Sequence, residues 1–447
     1  MAADQPPMLR GSFLAGSARD LKRDQLATFR RALEDHGGRR VRVRVGPPKV
    51  GFVFDLVFRP EDARHVLATE AVHYDKEIPG VDELRRLIGN GLFLSEGDRW
   101  RRDRRIVAPL FTRKRIDSYV PGMVAAADRV VAAWTSAGGR PVDLNQSGMG
   151  YVLDVLGRSV FGGDVESTAP VLRETVPVIN EYAARRLLSP VRLPGWVPTA
   201  ANRRAERARK RLWGLVDRLI AERRAGPLDG NDLLSLLLTA RDPEDGSALD
   251  DDAVRDQALI FLLAGHETTG TTMALTLHLL GRHIDVQDRL RDEVAAVVGD
   301  RAITAADVPH LTYTAQVVME TMRLYSPAHT LVRHASEETT LDGHDVSPGH
   351  LVAVSVWGVH HNPAVWPDPD RFDPDRFASD VPRYHHLPFG GGPRGCIGQH
   401  LGTAELVVGV ATLVRTFRLE TDIDVPPLEV AVSLRPAGNL PCRVTPT

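Results

Sequence analysis

Residues 251–281 are apolar on almost every side of a helical projection, over about eight turns. A helix apolar all round must be covered all round, so this one is expected to run through the protein's centre. That predicts a large helical body. One stretch interrupts the pattern. Ala264-Gly265-His266-Glu267-Thr268-Thr269 places a glycine, a histidine, a glutamate and two threonines in a greasy helix. Such groups are costly to bury unless they are used. Threonine hydroxyls can take the carbonyl four residues back and open a helix locally, while Gly265 allows close approach. A groove of that kind could hold dioxygen and water against a metal. His266-Glu267 does not begin a zinc-protease H-E-x-x-H motif, because the fifth residue is Gly270. His266 is expected to pack or hydrogen-bond instead.

A metal ligand is supplied elsewhere. The chain has two cysteines, Cys396 and Cys442, and Cys396 lies in FGGGPRGCIG (389–398). Gly390, Gly391, Gly392 and Gly395 free the backbone for positive φ, so amide N–H groups can point at the sulfur. The helical pattern from Ile397 to Arg415 would set a positive helix end beside it. Arg394 offers a forked donor for a carboxylate. No Lys-Ser/Thr follows the glycines, which excludes a phosphate loop. His360-His361 and His385-His386 fit no zinc spacing with Cys396 and are expected to be surface histidines of a proline-rich loop.

The cysteine segment resembles the haem-binding loop of the cytochrome P-450 family, F-x-x-G-x-R-x-C-x-G, matched at Phe389, Gly392, Arg394, Cys396 and Gly398. The interrupted helix resembles the family's A/G-G-x-D/E-T-T/S pattern at Ala264, Gly265, Glu267, Thr268 and Thr269. The resemblance implies haem b, iron protoporphyrin IX, with the Cys396 thiolate on the metal and Ala264 and Gly265 near the macrocycle. It makes Glu267 and Thr268 an acid–alcohol pair that delivers protons to dioxygen. Glu267 has a second reading, in which it turns outward and anchors the helix.

Three further motifs follow the same family. Glu320 and Arg323 in ETMR share a helix face amid apolar neighbours and resemble its E-x-x-R pair. Arg376 in PDRF (374–377) matches the usual third partner, with Asp375 where glutamate is common. The implied role is structural, locking the meander behind the haem loop. Trp100 and Arg104 in RWRRDRR (99–105) resemble the W-x-x-x-R pair that bonds the haem propionates. Arg333 in LVRHA and Arg394 complete that set by resemblance.

The alternating VRVRV (41–45) and GFVFDLVF (51–58) bracket Gly46-Pro47-Pro48 and predict a hairpin. Strand signals return in TLVRHA, GHDVSPG and LVAVSV and are expected to complete one small sheet. The expectation is a mainly α, single large P-450 fold over 1–447, with a β-rich lobe near 38–60 and 330–357 and a charged amphipathic helix over 201–224. Fifty-six basic against 58 acidic residues give no global field for nucleic acid, although RRAERARKR (203–211) is a local basic cluster. Two cysteines fit a reducing cytosol, and the polar N-terminus fits neither a signal peptide nor a membrane anchor.

The resemblance implies a cytoplasmic, monomeric haem-dependent monooxygenase that inserts one oxygen atom from dioxygen into an apolar organic substrate. Fatty acid, terpene and polyketide all remain open. The E-T-T form, Trp100 and PGWVPT (194–199) resemble the fatty-acid and terpene branches. Electrons are expected from a separate ferredoxin or flavodoxin with its reductase, docked near Cys396 and the basic run 99–105. By the same resemblance the pocket is walled by Ile260, Phe261, Ala264, Ala328, His329, Leu331 and residues within 78–94 and 176–197. His329 is either a polar hook for substrate or a loop residue bonded to backbone. Two rival readings are a peroxide-using haem-thiolate peroxygenase and a haem-binding sensor without turnover. Retention of Glu267 and Thr268 weighs against both.

Overall fold

In the computed structural model, which describes residues 6–48, 51–162, 168–188, 195–226, 230 and 232–447, the central helix runs from Asp251 to Arg282. Asp250 caps it, its carboxylate accepting from the Ala253 N–H at 2.8 Å. Asp251 and Asp252 in the first turn and Arg282 in the last suit the helix dipole. Buried residues point from it in every direction, as the all-round apolar pattern requires.

Helix Leu144–Leu156 packs against it most extensively. The backbones nearly touch. A Cβ on Gly148 would lie 2.6 Å from the Gly270 carbonyl oxygen, and one on Gly270 2.7 Å from Met149 Sδ. Any larger residue would push the helices apart. Helix Gln399–Thr416 packs on Arg113–Ala137, and Thr168–Leu188 on Ala200–Ala225, the helix expected at 201–224.

The predicted hairpin is present. Val41–Val45 pairs antiparallel with Phe52–Val57, Val43 facing Phe54. Phe52–Val57 then pairs parallel with Leu351–Ser355, which pairs antiparallel with Thr330–Ala335, and Tyr74–Asp75 closes the far edge. Distant segments therefore build one sheet. GHDVSPG departs from expectation: His344–Val346 pairs with Thr339–Leu341 in a separate ribbon and never joins the sheet. Arg40, just before the first strand, forms a buried ion pair with Asp55 of the second, Nε to Oδ2 2.8 Å, with Arg42 and His350 also at the carboxylate at 3.1 and 2.9 Å.

Behind the cysteine loop, Glu320 and Arg323 are fully buried and doubly bonded, at 2.7 and 2.8 Å. Arg323 also donates to the carbonyls of His360, Pro369 and Arg371, while Glu320 accepts the Asp373 N–H at 2.9 Å. Arg376 stands 3.5 Å from Glu320. Asp375 faces away and binds Arg289. The pair thus staples residues 360–376 to helix Thr312–Leu324.

The histidine pair 360–361 does not lie on the surface, contrary to expectation. His360 and His361 are buried, because the proline-rich segment folds under the Glu320–Arg323 pair. His360 Nδ1 faces the Arg323 carbonyl at 3.2 Å and its Nε2 accepts the Leu387 N–H at 2.7 Å, which fixes a neutral tautomer. Burial holds its pKa well below the ordinary value and pulls His386 down to about 3. No group of three or more potential metal-binding side chains occurs among the described residues.

Candidate active site

Cys396 sits at the end of a turn that its glycines make possible. Gly390 and Gly392 have φ of 69° and 66°. A Cβ on Gly392 would fall 1.7 Å from the Leu67 carbonyl oxygen, so only glycine fits. Cys396 N–H donates to the Phe389 carbonyl at 2.9 Å, closing the loop. Helix Gln399–Thr416 begins just beyond, with Gly398 as its cap. The thiol is exposed, and what it faces is an internal cavity. Burial within the protein raises its pKa; the Gly398 N–H and Arg104 act the other way without cancelling that effect. The loop alone therefore favours thiol, whereas holding a metal would call for the thiolate.

The cavity measures about 1240 Å³ and is bounded mainly by apolar side chains. That exceeds the roughly 300–1,000 Å³ typical of a small-ligand pocket, leaving room for a macrocycle and a second molecule. Ile260, Phe261, Ala264, Ala328, His329 and Leu331 all line it. Residues 189–194 of the wall expected at 176–197, and Pro194 of the PGWVPT stretch, lie outside the described residues.

One edge is strongly basic. Lys76, Arg104, Arg333 and Arg394 line the cavity, with Trp100 beside them. Arg394 donates to the Ser95 carbonyl at 2.8 Å, pairs with Glu96, and lies 3.9 Å above the Trp100 ring. Glu96 is the carboxylate paired within this group, with Asp75 nearby but bonded to His334. Burial lowers all four cations from their ordinary values, Arg333 to about 10, and the neighbouring positive charges add to the effect for Lys76, Arg333 and Arg394. Four cations, Arg333 buried and the others half-buried, outnumber the carboxylates beside them, which is costly unless further anions join them. A flat dicarboxylate, its ring against the glycine loop and its acid groups here, fits this chemistry.

The threonine ladder sits across the cavity. Thr268 Oγ1 donates to the Ala264 carbonyl at 2.6 Å, and Thr272 to the Thr268 carbonyl at 2.9 Å. Thr268, Thr269 and Thr272 all line the space, as do Ala264 and Gly265. Glu267 does not. Its carboxylate accepts from Asn180 at 2.6 Å, Ser433 at 2.9 Å and Arg435 at 3.0 Å. His266 is buried with Nδ1 unpartnered.

His329 lines the cavity, unlike Glu267, but spends one ring nitrogen on protein. Its Nε2 meets the Gln25 amide at 3.1 Å, tying the loop to helix Gln25–Asp35, and burial brings its pKa down to about 4. Sequence reasoning missed Lys76 and Glu405. Glu405 is a cavity-lining carboxyl on helix Gln399–Thr416 with one unpartnered oxygen, and burial pushes its pKa well up. Neither residue belongs to a local motif, so only tertiary placement brings them in.

The family model for cytochrome P-450 matches residues 6–442. The chain belongs to the cytochrome P-450 family. P-450 enzymes are haem-thiolate proteins, a cofactor that the cysteine loop and the cationic edge both fit. Cyclooctat-9-en-7-ol 5-monooxygenase of Streptomyces melanosporofaciens is 37% identical over 88% of this P-450 and 84% of its own length. Cyclooctatin synthase of the same organism is 37% identical over 91% and 88%. Pentalenene oxygenase of Streptomyces avermitilis is 31% identical over 91% and 90%. This P-450 is accordingly a haem-dependent monooxygenase.

Proposed function

We propose that this P-450 oxygenates an apolar terpenoid. The observation that carries the reading is one cavity, about 1240 Å³ and mostly apolar, onto which both the Cys396 thiol and Thr268 open. The names of the three bacterial relatives, a cyclooctat-9-en-7-ol 5-monooxygenase, a cyclooctatin synthase and a pentalenene oxygenase, support a terpenoid over a fatty acid or polyketide.

Cys396 would hold the haem iron, and Phe389, Gly398, Ala264 and Gly265 would bound the ring on its two faces. Lys76, Trp100, Arg104, Arg333 and Arg394 would hold the two propionates. When bound, the haem supplies the oxygen-activating redox chemistry. The rest falls to this chain. Apolar walls exclude water and press the substrate toward the Ala264–Thr268 turn. Thr268 Oγ1, now bonded to the Ala264 carbonyl, can turn its proton into the cavity and accept another behind it. With its carboxylate on Asn180, Ser433 and Arg435, Glu267 anchors the helix; it joins a proton relay only by leaving them. We assign Glu320, Arg323 and Arg376 to the scaffold. A separate ferredoxin or flavodoxin with its reductase, a monomeric state, one folding unit over 1–447 and a cytoplasmic site belong to the same proposal.

The test supplies purified protein with a ferredoxin, its reductase, NADPH and a terpene panel under ¹⁸O-labelled dioxygen. One labelled oxygen in a terpenoid product is expected. Labelled products from fatty acids alone would overturn the substrate class.

A further inference from the structure

Helix Ala200–Ala225 carries a charge pattern that the oxygenase reading does not use. Nine basic residues stand against three acidic ones, in a chain whose net charge is −2. The cations are sorted by face. Arg203, Arg204, Arg207, Lys210, Arg211 and Arg218 are all exposed and fall within a sector of about 120°, about 22 Å long. Ala205, Ala208, Leu212, Leu215, Val216 and Ile220 fill the opposite face and are buried in the protein. The helix is already packed, so its basic face is free for something else.

Local pairing does not absorb this stripe. Among the described residues, Arg204 reaches Glu181 at 3.5 Å, a carboxylate it shares with Arg185, and Arg211 pairs with Glu174. Arg207, Lys210 and Arg218 have no carboxylate partner there. Asp217, at the sector's edge, is taken by Arg255.

A second observation points to the partner's chemistry. Trp196, just before the helix, is 83% exposed. Its segment is held in place: Asn202 donates to the Val197 carbonyl at 2.7 Å, Arg203 bonds the Pro198 carbonyl, and the Gly195 N–H bonds Glu83 at 2.9 Å. Glu83 belongs to helix Val81–Ile88, whose Val81 and Leu84 line the cavity. An exposed indole on the held segment that leads into the cationic helix matches the interface of an anionic bilayer, where tryptophan sits at headgroup depth and basic residues meet the lipid charge. Nucleic acid or an acidic protein would use the charge but has less need of the indole.

We propose that the exposed face of helix Ala200–Ala225, with Trp196, docks this protein peripherally on an anionic lipid surface. No helix among the described residues is long and apolar enough to cross a membrane, so the contact is interfacial. Docking stands apart from the catalytic reading; only its use, taking an apolar substrate from the lipid beside the cavity wall, rests on it.

The experiment is co-sedimentation of the resting holoprotein with vesicles of phosphatidylglycerol and phosphatidylcholine, or of phosphatidylcholine alone. Binding is expected to the anionic vesicles only, weakening with salt. The triple variant R207E/K210E/R218E should bind at least about tenfold less, since each cation near the surface contributes. Trp196→Ser should remove a shift of emission to shorter wavelength that anionic vesicles produce in the parent. An unchanged haem spectrum confirms that each variant is folded. Equal sedimentation of parent and triple variant, or none by the parent, overturns the proposal. So does loss of ferredoxin or nucleic-acid binding in the triple variant with vesicle binding intact. Because no turnover is read, failure here leaves the oxygenase reading untouched.

Discussion

Thr268 is the residue where position and chemistry coincide most closely. Its hydroxyl lines the cavity, and its hydrogen bond to the Ala264 carbonyl is the kind that loosens a helix. Thr268→Ala should leave haem binding intact while substrate-driven oxygen uptake continues. Product per oxygen consumed should fall at least about tenfold, the lost reduction appearing as hydrogen peroxide. Tight coupling in that variant would remove Thr268 from proton delivery. Glu267 shows what residue-scale reading leaves open. The motif places it next to Thr268, yet Asn180, Ser433 and Arg435, all distant in sequence, hold its carboxylate away from the cavity. Lys76 escapes sequence reasoning for the same reason: nothing around it marks a site until Arg333 and Arg394 arrive from distant strands and loops.

At the scale of elements, two fully buried ion pairs, Glu320 with Arg323 and Arg40 with Asp55, tie distant segments together. Glu320 is fully buried against Arg323 and positions the segment that carries the cysteine loop. Removing one partner of such a pair leaves an uncompensated charge and costs about 3–5 kcal/mol. Glu320→Ala should therefore purify largely without haem and melt well below the parent; full haem loading at the parental Tm would contradict this. In the sheet, burial works to raise the Asp55 pKa. The His350 hydrogen bond and the Arg40 charge outweigh it and bring the group to about 2 from 3.8. A carboxyl with a depressed folded pKa adds stability above its unfolded value, and that stability is lost as pH falls toward the folded one. About 2 kcal/mol should disappear between roughly pH 4 and 2. Scanning calorimetry should show Asp55→Asn already less stable at pH 7, with a flatter decline over that window than the parent.

The elements also show how much could be read from sequence. Val41–Val45, Phe52–Val57 and the central helix were legible because period-two and all-round apolar patterns are local. ETMR was legible because i,i+3 spacing on a helix fixes a face. The separate ribbon at His344–Val346 was not, since strand partners are chosen by tertiary packing that a single segment does not encode. The burial of His360 and His361 escaped for a related reason: proline-rich sequence marks irregular backbone, and Arg323 then draws that backbone inward by its carbonyls.

For the whole molecule, the cavity joins the parts. Helical body and sheet lobe both line it, the cysteine loop supplies one wall, and its cationic edge calls for a dicarboxylate. The central claim is that haem sits there on the Cys396 sulfur. The most direct measurement is the absorption spectrum of the purified, dithionite-reduced protein under carbon monoxide, with Cys396→Ser beside it. The strongly red-shifted Soret band of thiolate ligation is expected in the parent and its loss in the variant. A parent spectrum with the unshifted band of a histidine-ligated haem, or a Cys396→Ser protein that keeps the shifted one, would contradict it.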